Sequence, residues 1–173
     1  VFFRLNSTDV ETMKKLLLLL LLLALLIHPR IYAQEINVVD FSQLQPFLEK
    51  RNDTTYVVNF WATWCLPCIK EMPYFQQIHD NFIDRKVKVI LVSLDFEKQM
   101  DSRLKPFIAK HNLTPEVILL NDPDANSWIN KVNPDWSGAL PATVIYNKNF
   151  QGFYEQSFTY NELEQIINQN ILN

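Results

Sequence analysis

Two cysteines stand three residues apart where an apolar run meets a helical pattern, and this junction constrains the chain more than any other feature. Tyr56 to Trp61 is almost wholly apolar and rich in strand formers, as a central strand covered on both faces must be. Trp64, Cys65, Leu66, Pro67 and Cys68 follow. Beyond them Ile69, Met72, Phe75, Ile78 and Phe82 recur every three or four residues, the spacing of one helix face. A buried strand that feeds a helix through a thiol-bearing turn belongs in an α/β architecture.

The rest of the chain alternates in the same way. Ile36 to Val39 reads as a short strand, and Ser42 as the cap of a helix reaching Lys50, with Pro46 in its first turn. Pro73 is expected to kink the helix after the cysteines. Val87 to Leu94 is a second buried strand. A helix is expected over Met100 to His111, a strand over Val117 to Leu120, and a short helix capped by Asp124. Ala142 to Tyr146 is a strand, Asn147 to Phe150 a turn, and Gly152 to Phe158 the second arm of a hairpin. Asn161 caps a last helix carrying Leu163, Ile166 and Ile167. Phe60, Phe75, Phe82, Phe107 and Trp128 fall on core-facing positions, whereas Trp136 fits core and surface equally well. The reading is one domain with a central mixed sheet flanked by helices, an added strand and helix, and a C-terminal hairpin plus helix.

The placement of the cysteines has a chemical consequence. A thiolate is the nucleophile in disulfide exchange, and a helix N-terminus stabilises negative charge through its free N–H groups. An ordinary thiol of pKa ~8.5 is about 3% ionised at pH 7, and one lowered to ~7 is about half ionised. Cys65, at the tip, is the expected nucleophile. Cys68, one turn in, is the expected resolving thiol. A purely stabilising disulfide is the plainer alternative, but a four-residue loop gives only about 2 kcal/mol on the chain-entropy estimate. A zinc site would need His79 and His111, whose spacing from the cysteines matches no common finger.

Composition excludes other classes. Two glycines leave no Gly-rich phosphate loop, and two cysteines leave no four-cysteine metal site or disulfide scaffold. A net charge of −3 argues against a nucleic-acid protein. Residues 1–33 bias the averages. Met13 is followed by Lys14, Lys15 and an unbroken apolar run from Leu16 to Ile27, and Ala33 precedes Gln34. Basic start, short apolar stretch and small residue read as a secretory signal. Translation is expected to start at Met13 and cleavage to follow Ala33, with an uncleaved tether as the alternative. The remaining chain, 34–173, then holds 12 basic and 17 acidic side chains, a net of −5. Export would place both cysteines outside the reducing cytosol.

The segment VVNFWATWCLPCIKEMPYF, Val57 to Phe75, resembles the active-site region of the thioredoxin-like superfamily. It is most similar to the TlpA/ResA group of exported thiol-disulfide oxidoreductases, through Trp64, Cys65, Cys68, Glu71 and Pro73. GALPATVIY, Gly138 to Tyr146, resembles the loop whose cis proline faces the cysteines in that superfamily, with Pro141 at the matching position. The resemblance runs from about Gln34 to Asn173 and implies a thioredoxin fold. It implies that Pro141 helps hold an extended partner chain. It implies that Glu71 lies near the active site, where a carboxylate disfavours a thiolate and can take up its proton. The competing reading of Glu71 is a solvated surface residue. Asn59 stands where cytoplasmic thioredoxins carry a buried acid, as in the group it resembles. Trp64, Leu66, Pro67, Leu140 and Pro141 are expected to form an apolar rim round the sulfur.

The activity implied is exchange through a mixed disulfide on Cys65, with cysteine-containing extracytoplasmic proteins as partners. Electrons would come from a membrane donor, as in the reduction of haem-attachment cysteines during cytochrome c maturation. The dithiol carries two electrons, so no metal or organic cofactor is required, and a monomer is expected. A disulfide-forming oxidant of the same fold and a non-catalytic peptide-binding module are the alternatives. A copper chaperone or peroxidase on this fold would require a different cysteine context.

Overall fold

The computed structural model describes residues 7–26 and 35–171, and their side chains over 10–19 and 35–170. The chain divides into two units, Val1–Ala33 and Gln34–Asn173. In the first, α1 spans Ser7–Leu26. Among the described residues no helix is long and apolar enough to cross a membrane. The expected cut after Ala33 lies outside the described residues.

The second unit is a six-stranded mixed sheet with helices on both faces. Its strands are β1 (Asn37–Val39), β2 (Thr55–Trp61), β3 (Val87–Ser93), β4 (Glu116–Leu120), β5 (Ala142–Tyr146) and β6 (Gln151–Tyr154). Their order is β1-β4-β3-β2-β5-β6. The first four in that order pair in parallel, and β5 and β6 join antiparallel. The helices are α2 (Phe41–Leu48), α3 (Leu66–Phe82), α4 (Lys105–His111), α5 (Ala125–Val132) and α6 (Tyr160–Ile171).

Strand alternation divides the core between the two faces. Val57 and Trp61 of β2 pack with Phe75 and Ile78 of α3, Leu163 and Ile167 of α6, and both cysteines. Tyr56, Val58 and Phe60 point the other way, towards Leu44 of α2 and Trp128 and Trp136. Every residue of β2 is buried, as its unbroken apolar run requires. Phe60, Phe75, Phe82 and Trp128 are core as expected. Trp136 is core as well, against Phe60 at 4.9 Å and Trp128 at 5.7 Å between ring centres.

Several boundaries differ from the sequence reading. The cap of α2 is Asp40, not Ser42. Its carboxylate accepts the Gln43 N–H at 2.9 Å, and the Gln43 side chain accepts the Asp40 N–H in return. Pro46 consequently lies in the second turn. Asp124 precedes α5, but its side chain makes no capping bond. At α6 the reciprocal pair is Thr159 and Glu162 rather than a cap at Asn161. The chain from Met100 is not one α-helix. A π-turn spans Met100–Leu104, where the Lys105 N–H bonds the carbonyl of Met100 five residues back, and α4 begins only at Lys105. Pro106 explains this, since it has no N–H for the carbonyl of Ser102. The second hairpin arm ends at Tyr154 rather than Phe158. The Phe158 N–H is directed instead to the carboxylate of Glu71. Helix α3 runs unbroken through Pro73.

Candidate active site

β2 ends at Trp61, and four residues later the chain enters α3 with Cys65 as its N-cap. Cys65 and Cys68 form a disulfide with 5.3 Å between their Cα atoms. The Cys68 N–H donates to Cys65 Sγ at 3.3 Å, so the outer sulfur occupies the position of a capping oxygen. Pro67 lies in the first turn of α3, where its missing N–H costs nothing. Cys65 is 6% exposed and Cys68 fully enclosed, the asymmetry expected of an attacking and a resolving thiol.

The turn before the cysteines is fixed from β3. Asp95 is buried and accepts the Thr63 N–H at 3.0 Å, the Thr63 hydroxyl at 2.5 Å and the Ser93 hydroxyl at 2.9 Å. The Leu94 N–H reaches the Trp61 carbonyl at 2.8 Å. Asp95 is a positioning residue that the sequence reading missed. Its signal was an acid directly after a run too apolar to be surface.

Glu71 lies one turn beyond Cys68 on the buried side of α3 and is 1% exposed, so it is not a solvated surface residue. One carboxylate oxygen accepts Asn59 Nδ2 at 3.1 Å, and the other accepts the Phe158 N–H at 2.8 Å. The same Asn59 amide donates to Thr143 Oγ1 at 3.1 Å, its cross-strand neighbour on β5. Burial pushes the Glu71 carboxyl up from 4.5 to about 7, against the opposing pull of these two donors. Half-ionised near neutrality, it can accept or give a proton there. Asn59 and Thr143, on neighbouring strands, hold it in place.

The Leu140–Pro141 peptide bond is cis, as the resemblance implies. Ala142 pairs with Phe60, so this bond lies at the end of the sheet from which β2 leads towards the cysteines. Leu140 packs against the cluster that contains both cysteines. Glu155 secures the approach to Pro141, accepting the N–H groups of Ser137 at 3.1 Å and Ala139 at 3.0 Å and the Ser137 hydroxyl. Trp136 Nε1 donates to the Ala139 carbonyl at 2.9 Å. Gly138 has φ +91°, a conformation side chains rarely adopt, and a Cβ there would meet Ile129 at 3.2 Å. Glu155 gave no warning in sequence, because its partners lie 16 and 18 residues away.

The expected rim is uneven. Trp64 and Leu66 are 54% and 62% exposed, and Pro67 is exposed as well. Leu140 is half-buried, Pro141 is buried, and Trp136 is withdrawn into the core. His79 is half-buried on α3, and burial lowers its pKa. His111 is exposed and stacks on Phe107 at 4.2 Å. Phe107 itself is only half-buried, packing on Trp61 at 5.2 Å, and is a lesser part of the core than its spacing implied.

Comparison with known proteins places this site in context. The family described as AhpC/TSA matches residues 33–151. The thiol-disulfide oxidoreductase ResA of Oceanobacillus iheyensis is 30% identical over 114 residues, 65% of this chain and 55% of that protein. The sporulation thiol-disulfide oxidoreductase A of Bacillus subtilis is 35% identical over 63 residues, 36% of this chain and 38% of that protein. The chain thus spans about half or less of the length of these relatives. Among solved structures, a thiol:disulfide interchange protein of the thioredoxin family from Chlorobium tepidum superposes with a TM-score of 0.59 at 17% identity. It covers 73% of this chain and 84% of that one, a likeness of fold. A match over more than half of the sequence, on a thioredoxin fold with its cysteine pair at the head of α3, establishes that the chain belongs to the AhpC/TSA family of thioredoxin-like proteins.

Proposed function

We propose that this protein is an extracytoplasmic thiol-disulfide oxidoreductase that reduces disulfides in partner proteins. The observation that carries the reading is the Cys65–Cys68 pair itself. The two sulfurs are bonded at the head of α3, the outer one capping the helix and 6% exposed, the inner one fully enclosed. In the reduced protein Cys65 is the thiolate, stabilised by the free N–H groups of α3. It attacks one sulfur of a partner disulfide. That bond breaks, and the departing partner sulfur leaves as a thiolate and takes up a proton. Cys68 then loses its proton, and its sulfur attacks Cys65 Sγ. The mixed disulfide breaks, the second partner sulfur leaves, and the Cys65–Cys68 bond is restored with two electrons transferred. Glu71, one turn from Cys68 and poised near pH 7, is the group that receives the Cys68 proton.

Trp64, Leu66, Pro67, Leu140 and Pro141 form the rim on which an extended partner segment lies. With translation from Met13, residues 13–33 act as the export signal or tether, and residues 34–173 as the working domain. The partners are cysteine-containing proteins outside the cytoplasm, of the kind whose haem-attachment cysteines are kept reduced in cytochrome c maturation. A membrane donor re-reduces the dithiol, and the domain acts as a monomer. The names of the ResA relatives support the activity, and the basic-then-apolar start of the chain supports export.

The test is a reduction potential by equilibration in redox buffers, joined to trapping. A potential near −270 mV or below is expected for a reductant, whereas a value near −120 mV would make the protein an oxidant. Cys68→Ser should accumulate mixed disulfides on Cys65 with extracytoplasmic proteins. A variant that traps none would sink the exchange mechanism.

A further inference from the structure

Beside the cysteine turn is an open depression of about 460 Å³ lined by Thr63, Trp64, Arg103, Pro106, Phe107 and Lys110. Its floor is aromatic, and its only charges are two cations. Arg103, Phe107 and Lys110 follow one another at four- and three-residue steps, so they form one stripe along the π-turn and α4. Arg103 and Lys110 are exposed, and neither has a carboxylate partner among the described residues. The acids nearest in sequence are already engaged. Asp101 pairs with Lys105 at 2.6 Å and Glu116 with Lys88 at 2.6 Å, Glu97 accepts Asn121 Nδ2 at 2.6 Å, and Asp95 is buried beneath Thr63 with three donors. No acid in the lining offsets these two cations, in a region, 34–173, that is acidic overall.

Resting on the oxidoreductase reading, we propose that this depression receives an acidic side chain of the partner polypeptide, a few residues from the cysteine that Cys65 engages. Trp64 is both a wall of the depression and the residue next to Cys65. An extended chain advances at most about 3.6 Å per residue, so the side chain that reaches the two cations lies a few positions from the reacting sulfur. Trp64 and Phe107 cover the apolar stem of a Glu or Asp, and Arg103 and Lys110 meet its carboxylate. The pocket selects partners by charge, apart from the chemistry at sulfur.

The experiment uses the full chain, reduced, and disulfide-linked dimers of single-cysteine peptides. The peptides carry Glu or Gln two residues before the cysteine or, in a second set, two residues after it. Cys65 and Cys68 are oxidised to their disulfide, and each peptide dimer is reduced to two thiols whose release gives the rate. In at least one set, the Glu-to-Gln rate ratio should be about fivefold higher for the natural protein than for Arg103→Gln/Lys110→Gln, the size of one or two exposed ion pairs. The excess should vanish at about 1 M salt. Comparing ratios removes the effect of Glu on the peptide's own thiol. Lys131→Gln/Lys148→Gln, which changes the net charge equally at other sites, should keep the ratio of the natural protein. Equal ratios in the natural protein and the Arg103/Lys110 variant overturn the pocket while leaving exchange intact. Loss of the ratio in the Lys131/Lys148 variant assigns it to overall charge and also overturns the pocket. Exchange with no peptide overturns the oxidoreductase reading and the pocket together.

Discussion

Glu71 is held where its charge is costly. Its carboxyl is 1% exposed, accepts two hydrogen bonds, and titrates near 7 rather than 4.5. The unfolded chain gives up this proton near pH 4.5, and the folded chain keeps it until about pH 7. Between those values the folded protein binds more protons, so stability falls as pH rises. At 1.36 kcal/mol per unit, the loss across that window is on the order of 3 kcal/mol. Glu71→Gln cannot ionise, so urea unfolding of this variant should lose that slope between about pH 4.5 and 7. An unchanged slope would assign it to other groups. The same substitution bears on reactivity. A carboxylate near the thiols disfavours a second negative charge, so in the reduced variant the pH midpoint for alkylation of Cys65 should move down. Glu71 was visible in sequence only through a family resemblance. Its helical spacing from Cys68 indicates a shared face. Nothing local indicates that the Phe158 N–H, 87 residues away, closes over it.

At the scale of elements, sequence was most legible where periodicity and burial agree. The unbroken apolar run of β2, the face of α3 and the start of β5 after Pro141 all appear at or within a residue of the expected places. Departures occur where a hydrogen-bond partner lies elsewhere in the fold, or where two local signals compete. Asp40 and Ser42 both suit a cap, each with a Gln three residues on; Asp40 takes the role, and the Ser42 hydroxyl donates to its carboxylate at 2.7 Å. β6 stops at Tyr154, where its partner β5 runs out towards Pro141 and Glu155 turns to Ser137 and Ala139, and the Phe158 N–H beyond is directed to Glu71. The cysteine turn depends on such a distant partner, Asp95, two residues beyond β3. Asp95→Asn leaves one oxygen for three donors and should cost about 1–3 kcal/mol in urea unfolding. Hydrogen exchange at the Thr63 amide should accelerate by more than global destabilisation accounts for, because that N–H loses its acceptor locally. Protection that falls only in step with global stability would mean that the turn holds itself.

For the whole molecule, the direction of electron flow is a question about stability. Folding and disulfide reduction form one thermodynamic cycle. A protein that is more stable oxidised than reduced holds its disulfide more tightly than its unfolded chain does, and such a protein is driven to give electrons away. The opposite order describes an oxidant, whose reduced form is the stabilised one. Closing a four-residue loop favours the oxidised form by about 2 kcal/mol on the chain-entropy estimate. Opposing it, the N-terminus of α3 stabilises the Cys65 thiolate by about 0.3–1 kcal/mol. Cys68 gains nothing comparable, because it is enclosed and one turn from Glu71, where burial and a nearby carboxylate both disfavour its thiolate. The balance favours the oxidised protein. At pH 7 its free energy of unfolding should exceed that of the reduced protein by about 1 kcal/mol or more, which corresponds to about 20 mV for a two-electron couple. Paired urea titrations of the two forms, each held in its redox state, measure the difference directly. A reduced form that proves the more stable would reverse the proposed direction and make this protein a donor of disulfides.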